Sequence, residues 1–208
     1  MDFRRPLTVV TPTLDGDVLA VLAGADAEFS GRRIHRMVRS GSENGVRNAA
    51  ERLVAQGVVS SRRAGQANLY RLNRDHLAAP YIEALATLRV QLFERLRSAI
   101  SAWDVPPCWA MVFGSVARGE AGPLSDLDIL VVRSPETGED SAEWRGQLGL
   151  LEDLATAWTG NETRILEYSE DELGDAAVVS VLESALAEGI ELYGSRHSLR
   201  RLIEEGIG

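Results

Sequence analysis

The chain has 208 residues, of which 45% are hydrophobic and 25% charged, and its formal net charge is −9. This composition supports two modest hydrophobic cores and excludes a disordered or membrane-spanning chain, because no apolar run is long enough to cross a bilayer. The N-terminal segment lacks the apolar stretch of a signal peptide, and one cysteine cannot form an internal disulfide. We therefore expect a cytoplasmic protein with no membrane partner.

The first third of the chain has the pattern of three helices followed by a β-hairpin. The predicted helices cover residues 15–23, 31–38 and 43–56, and the predicted strands cover residues 58–61 and 68–72. Ser30 and Ser42 are suitable N-caps for the second and third helices, and Gly57 ends the third. This order of elements predicts a winged helix-turn-helix domain over residues 1–77.

The third helix and the hairpin carry side chains that suit nucleic-acid binding. The segment SENGVRNAAERLVAQGVVSSRRAGQANLYRLN resembles the recognition helix and wing of bacterial winged-helix repressors of the arsenic-repressor and multiple-antibiotic-repressor type. The resemblance implies double-stranded DNA as a partner and transcriptional regulation as a function. It assigns major-groove contacts to Asn44, Arg47, Asn48 and Arg52, and backbone or minor-groove contacts to Arg62 and Arg63.

Charge is unevenly distributed along the sequence. Residues 32–74 contain ten arginines against two acidic residues, a net charge of +8, so the rest of the chain carries −17. A basic region within an acidic protein is typical of a nucleic-acid binder. The alternative is a solvated, arginine-rich surface without a ligand.

Two amphipathic patterns lie outside these elements. In residues 78–104 apolar side chains recur every three or four positions, at Ile82, Leu85, Leu88, Leu92, Leu96, Ile100 and Trp103. This pattern predicts one long linker helix, which packs on its own domains or pairs with a second copy, and we favour a homodimer. A shorter pattern over residues 198–205 predicts a final docking helix.

The most informative motif is Gly114-Ser115, ten residues, then Asp126-Leu127-Asp128. An apolar strand runs into the glycine, and a second strand begins at the aspartates. A glycine and a hydroxyl at a helix start suit nucleotide phosphates. Asp126 and Asp128 lie two apart on a strand, so their carboxylates share one face and can bind Mg²⁺ or Mn²⁺ together with phosphate oxygens.

This motif resembles the signature of minimal nucleotidyltransferases of the DNA polymerase β superfamily, over about residues 105–194. The resemblance implies transfer of a nucleoside monophosphate from an NTP, with ATP as the first candidate, and pyrophosphate as the leaving group. It implies catalytic and metal-binding roles for Asp126 and Asp128 and nucleotide contacts from Gly114, Ser115, Arg118 and Ser125. The fold class is then α+β, with residues 105–208 forming a mixed sheet flanked by helices.

The third carboxylate of such a site is displaced in this sequence. Aligning the predicted strand at residues 163–168 with the segment that follows it places Arg164 at the acidic position. Glu162 and Glu167 are the candidate substitutes if that register or strand boundary is shifted. Arg164 could instead bind a phosphate bidentately, or pair with the acids around it.

Three functions remain open from the sequence. The favoured one is a DNA-binding regulator with a nucleotidyltransferase-like domain that binds NTP and Mg²⁺. The second is an active nucleotidyltransferase that uses its winged helix for docking. In the third, the chain is an antitoxin paired with a HEPN-type toxin, because the same motif spacing occurs in antitoxins of that kind.

Overall fold

The computed structural model describes residues 1–38, 40–197 and 199, with backbone alone for 176 and 177. It divides into two compact units, one containing Asp2 and Arg4–Leu88 and the other containing Met1, Phe3 and the chain from Arg89 onwards. In the described part of the chain, no helix is long and apolar enough to cross a membrane. The predicted helix at residues 198–205 lies outside the described residues, except for Leu199.

The N-terminal unit places helices against a small antiparallel sheet. Its elements are α1 (Leu14–Ala23), β1 (Phe29–Ser30), α2 (Gly31–Val38), α3 (Glu43–Ala55), β2 (Val59–Ala64), β3 (Ala67–Leu72) and α4 (Ala79–Ala86), and the sheet order is β1-β3-β2. The Ser42 hydroxyl accepts a hydrogen bond from the Gly45 N–H, so it caps α3 as its sequence position predicts. The core contains Val18, Leu22 and Ile34 from the helices and Tyr70 and Leu72 from β3.

The predicted linker helix is two helices in the structure. The first, α4, ends at Ala86, and the hydroxyl of the capping residue Thr87 donates to the carbonyl oxygens of Glu83 and Ala84 at 3.0 and 3.1 Å. The second, α5 (Leu88–Ser101), contributes Leu92, Leu96 and Ile100 to the core of the C-terminal unit, whereas Ile82 of α4 packs in the N-terminal core. The continuous apolar pattern therefore serves two separate cores.

The C-terminal unit is a four-stranded mixed sheet with helices on both faces. After α5 come β4 (Trp109–Phe113), α6 (Gly114–Arg118), β5 (Leu127–Arg133), α7 (Ala142–Thr159), β6 (Thr163–Ser169), α8 (Ala176–Glu188) and β7 (Ile190–Tyr193). The strand order is β6-β5-β4-β7, with β5 parallel to β6 and the other pairs antiparallel. This matches the expected mixed sheet flanked by helices.

Residues of β5 alternate between two hydrophobic cores. Leu127, Ile129 and Val131 pack with side chains of α5 and α7, whereas Leu130 and Val132 pack with side chains of α8. Side chains two apart on a strand share a face. Asp126 and Asp128 therefore lie on the α8 face, at the end of β5 where the apolar residues begin.

Candidate functional site

At Gly114 the backbone passes close to the Asp128 carboxylate. Phe113 pairs with Asp128 across β4 and β5, and Gly114 follows with a left-handed backbone, φ 69°. A Cβ atom at Gly114 would lie 3.0 Å from Asp128 Oδ2, closer than ordinary van der Waals contact. Both the left-handed backbone and this close approach favour glycine at the start of α6.

Asp128 is a half-buried carboxylate beside a second one. Burial raises the pKa of the Asp128 carboxyl, the charge of Asp126 raises it further, and the Arg164 guanidinium opposes both effects. Burial penalises the charged form because it removes solvating water, and a neighbouring anion adds repulsion. A cation placed beside this pair would relieve that repulsion.

Arg164 completes the cluster from the neighbouring strand. It lies opposite Asp128 in the parallel register of β5 and β6. Its Nη1 is 2.9 Å from Asp126 Oδ2, and its Nε is 3.4 Å from Glu162 Oε1. The hydrogen bond to Glu162 and the charge of Asp126 raise the pKa of Arg164, so the guanidinium is a fixed positive charge. Arg164 is therefore the residue of β6 that lies beside the two aspartates.

Glu167 belongs to the other face of the sheet. It accepts hydrogen bonds from Trp144 Nε1 at 2.7 Å and from Arg145 Nη1 at 3.0 Å, and its Oε1 lies 3.1 Å from Arg133 Nε. Its place between β6 and α7 contradicts the prediction that it could stand in for the third carboxylate. Glu162 is on the same side as Arg164, but its side chain is 68% exposed and its ion pair is with Arg164.

Comparison with known proteins assigns this part of the chain to a family. Residues 107–187 match the family model described as Nucleotidyltransferase domain. Residues 107–187 form a nucleotidyltransferase domain. The match includes Gly114, both aspartates and Arg164, and it confirms the family resemblance carried by the Gly-Ser and Asp-x-Asp motif.

Two solved structures resemble the chain at low sequence identity. One is the crystal structure of a toxin-antitoxin with AMP-PNP, at 17% identity and a TM-score of 0.40. The other is the crystal structure of a mutant of the toxin-antitoxin MntA-HpeT, at 15% identity and a TM-score of 0.39. Each alignment covers 55% of this chain and 83% of the other.

Two predicted nucleotide contacts in the nucleotidyltransferase domain already have partners. Arg118 pairs with Glu120 at 2.8 Å and also with Glu188. The Ser125 hydroxyl oxygen accepts a hydrogen bond from the Gly122 N–H at 3.0 Å, which closes the turn before Asp126. In this state Arg118 is bound to carboxylates, and the Ser125 hydroxyl orders the loop that leads to the aspartates.

The domain also depends on two residues that the motif does not contain. Asn161, 2% exposed, donates to the carbonyl oxygens of Gly122 and Ser125 at 3.1 and 2.8 Å and so holds the loop before Asp126. Arg89 donates to the last carbonyls of α6, those of Val116 and Ala117. An arginine at a helix C-terminus compensates unpaired carbonyls there. Neither residue has a local sequence signal, because each bonds to backbone far along the chain.

The carboxylates of the domain suit one divalent cation better than two. Mg²⁺ is commonly held by one or two carboxylates together with substrate phosphates, as Asp126 and Asp128 would allow. Among the described residues, no group of three or more His, Cys, Asp or Glu side chains is placed to hold a metal ion. Arg164 lies on β6 opposite Asp128, at the position where the sequence resemblance predicts a third carboxylate.

The residues predicted to contact DNA lie on the N-terminal unit and differ in their partners. Asn44, Arg47, Asn48, Arg52, Arg62 and Arg63 are all exposed. Arg52 is bound to Asp15 at 2.7 Å and Arg62 to Glu28 at 2.5 Å, whereas Arg47 lies 3.8 Å from Glu51. Asn44, Arg47 and Arg63 line a groove of about 800 Å³ between α3 and the β2–β3 hairpin.

Acids outside the basic segment neutralise part of its charge. Asp15 and Glu28 pair with Arg52 and Arg62, and Asp26 pairs with Arg71 and Arg74 at 2.7 and 2.9 Å. The side-chain hydrogen bond from Arg62 lowers the pKa of Glu28, so the carboxylate of this pair is ionised at neutral pH. The charge of residues 32–74 therefore overstates the positive field of the surface.

Proposed function

We propose that the nucleotidyltransferase domain binds a nucleoside triphosphate, with ATP as the first candidate, at the edge formed by Gly114, Ser115, Asp126 and Asp128. The observation that carries this proposal is that the left-handed Gly114 lies close beside the Asp128 carboxylate, where a Cβ atom would be 3.0 Å from Asp128 Oδ2. It allows polyphosphate to approach the backbone and both carboxylates at one place. A divalent cation held by Asp126 and Asp128 would neutralise phosphate charge there.

We propose that the domain binds a nucleotide, and we do not assign a catalysed reaction to it. In nucleotidyl transfer, an acceptor oxygen attacks the α-phosphorus, the bond to pyrophosphate breaks and the acceptor loses its proton to a base. The strand position expected to supply that base carries Arg164, which remains protonated. Glu162 is the adjacent carboxylate, so Glu162→Gln tests whether any transfer of labelled nucleotide depends on it.

Equilibrium binding of a non-hydrolysable ATP analogue in the presence of Mg²⁺ tests the site. The double variant Asp126→Asn with Asp128→Asn should lose most binding, because the amides keep the shape but remove the charge that holds the cation. Asp140→Asn with Asp153→Asn removes the same charge from two exposed positions and should bind like the wild type. Equal affinity in all three proteins would reject this site.

We propose in addition that the N-terminal unit is a winged helix that binds double-stranded DNA. Its element order α1-β1-α2-α3-β2-β3 and its sheet order β1-β3-β2 support this assignment. So do the exposed Asn44, Arg47 and Asn48 on α3, which would face the major groove. Together, the two proposals describe a DNA-binding regulator that carries a nucleotide-binding domain.

Gel-shift titration at two salt concentrations tests DNA binding. Affinity should fall steeply with salt, because arginine contacts to phosphate release counterions. Arg63→Ala should weaken binding more than Arg62→Ala, since Arg62 is already held by Glu28. Arg47→Ala should also relax sequence preference, at about 1–3 kcal/mol per lost base contact. No binding at low salt would reject this half of the proposal.

The alternatives that involve a protein partner stay predictions. The sequence resemblance suggests a HEPN-type toxin, and the amphipathic pattern suggested a homodimer. Two measurements address them directly: the mass of the chain in solution, and co-purification with the product of a neighbouring toxin gene.

A further inference from the structure

We propose that Arg164 is a built-in cation that takes the place of one of the two divalent ions of a nucleotidyl-transfer site. The domain then holds a triphosphate with a single divalent cation and one guanidinium. This inference rests on the proposed nucleotide site and specifies which positive charges neutralise the triphosphate there. It concerns what the cluster binds, and it can be measured without any catalytic turnover.

The first argument is position. Arg164 lies opposite Asp128 in the parallel register, on the strand where a two-cation site would need its third carboxylate. Its Nη1 is 2.9 Å from Asp126 Oδ2. One guanidinium thus already neutralises one of the two aspartates that would receive the metal ions.

The second argument is competition between cations. A second divalent ion on Asp126 would lie next to the guanidinium, and the two positive charges would repel each other. An arginine keeps its charge at all ordinary pH values and cannot become a metal ligand. Among the described residues, no third carboxylate is placed together with the two aspartates to hold a metal ion. Asp126 and Asp128 therefore provide ligands for one divalent ion.

The third argument is the freedom of the guanidinium to contact a ligand. The Arg164 side chain is 60% exposed, on β6 at the edge of the sheet, and its carboxylate partners Asp126 and Glu162 are 32% and 68% exposed. An exposed pair of this kind is weak and can exchange partners. The planar guanidinium can donate two hydrogen bonds to phosphate oxygens and bring one positive charge to them. A metal ion in its place would supply positive charge alone.

Titration of the full-length chain with Mn²⁺, followed by electron paramagnetic resonance of the free ion, tests the inference. It is done with and without a non-hydrolysable ATP analogue. The variants are Arg164→Asp, which supplies the missing carboxylate, and Arg95→Asp, which makes the same charge change on an exposed arginine of α5. Thermal unfolding of each variant establishes that it is folded.

The expected wild-type stoichiometry with the analogue is about one Mn²⁺ per chain in addition to any ion bound by free analogue, and Arg164→Asp should raise it to about two. Without the analogue, Arg164→Asp should lower the Mn²⁺ concentration at half-saturation at least about tenfold, while Arg95→Asp stays near the wild type. Two ions in the wild type, or no difference between the two variants, would overturn the inference. Failure of the analogue to bind any of these proteins would instead reject the proposed nucleotide site, while the analogue-free titration still decides whether Arg164 acts as the cation.

Discussion

At the scale of single residues, Gly114 limits what the site can tolerate. Its backbone is left-handed, and an added Cβ would lie 3.0 Å from Asp128 Oδ2, so a side chain there is strained and crowds the carboxylate. Gly114→Ala should therefore destabilise the fold by about 1–2 kcal/mol, from the backbone conformation alone, and should weaken binding of the ATP analogue. Denaturant unfolding together with the binding titration checks both effects.

Gly146 offers a control for that substitution. It lies exposed within α7, and an added Cβ would meet nothing within 4 Å. Gly146→Ala should stabilise the protein by about 0.5–1 kcal/mol, because alanine is a better helix former. If Gly114→Ala stabilised the chain as Gly146→Ala does, the expected backbone strain and crowding against Asp128 would be wrong.

The charge of Asp128 should lower the stability of the folded protein, although the same carboxylate is proposed to bind the cation. Its folded pKa is raised above the unfolded value, chiefly by burial and then by Asp126, so its charge destabilises the fold at neutral pH. That penalty disappears as the pH falls through the folded pKa toward the unfolded value of about 3.9. Asp128→Asn should therefore melt at a higher temperature than the wild type near neutral pH, and the difference should close as the pH falls toward that value.

The exposed Asp140 provides the comparison for this pH dependence. Asp140→Asn should leave the melting temperature unchanged across the same pH range. A melting temperature for Asp128→Asn equal to or below that of the wild type near neutral pH would contradict the account of a repelled, half-buried carboxylate.

At the scale of elements, Glu167 joins β6 to α7. It is 12% exposed and bound to Trp144, Arg133 and Arg145. Removing the charge leaves Arg133, also 12% exposed, without its carboxylate, so Glu167→Gln should cost about 3 kcal/mol of stability. Glu162→Gln, at an exposed pair, should cost less than about 1 kcal/mol. Denaturant unfolding measures both.

Nucleotide binding by the Glu167→Gln variant distinguishes a structural role of Glu167 from a role in the nucleotide site. Folded Glu167→Gln should bind the ATP analogue like the wild type, because the side chain lies on the far face of the sheet. Strong loss of nucleotide affinity in Glu167→Gln, with stability unchanged, would place Glu167 in the site and would require a different register for β6.

The elements themselves were largely predictable from local patterns. The Ser42 cap, the β-hairpin and the Gly-Ser and Asp-x-Asp spacing depend on near neighbours. The special position of Arg164 was predicted from the segment that follows its strand, and in the structure Arg164 lies opposite Asp128. The break at Thr87 was not predictable, because the apolar periodicity continues through it and the two halves differ only in which core they join. The motifs and apolar patterns of the sequence also do not fix the bounds of α7 and α8.

Long-range partners were outside the reach of the sequence. Arg52, Arg62 and Arg118 were expected to face ligands, yet each binds a carboxylate, and Asp15 is 37 positions away from Arg52. Nothing in the local spacing distinguishes an arginine that is free to bind phosphate from one that is already paired. The roles of Asn161 and Arg89 were missed for the same reason.

At the scale of the whole molecule, two units with separate cores predict two separable functions. Asp126→Asn with Asp128→Asn should leave DNA affinity unchanged, and Arg47→Ala with Arg63→Ala should leave affinity for the ATP analogue unchanged, because each pair lies in its own unit. Gel shifts and nucleotide titrations on both double variants check this. Loss of both functions in either protein would show that the sites are coupled.

The most direct test of the central claim is a crystal structure of the chain with a non-hydrolysable ATP analogue and Mn²⁺. We expect the triphosphate beside Gly114 and Ser115, an anomalous Mn²⁺ peak between Asp126 and Asp128, and the Arg164 guanidinium on phosphate oxygen. Analogue and metal bound elsewhere, with Asp126 still paired only to Arg164, would contradict the assignment of a nucleotide site to this edge of the sheet.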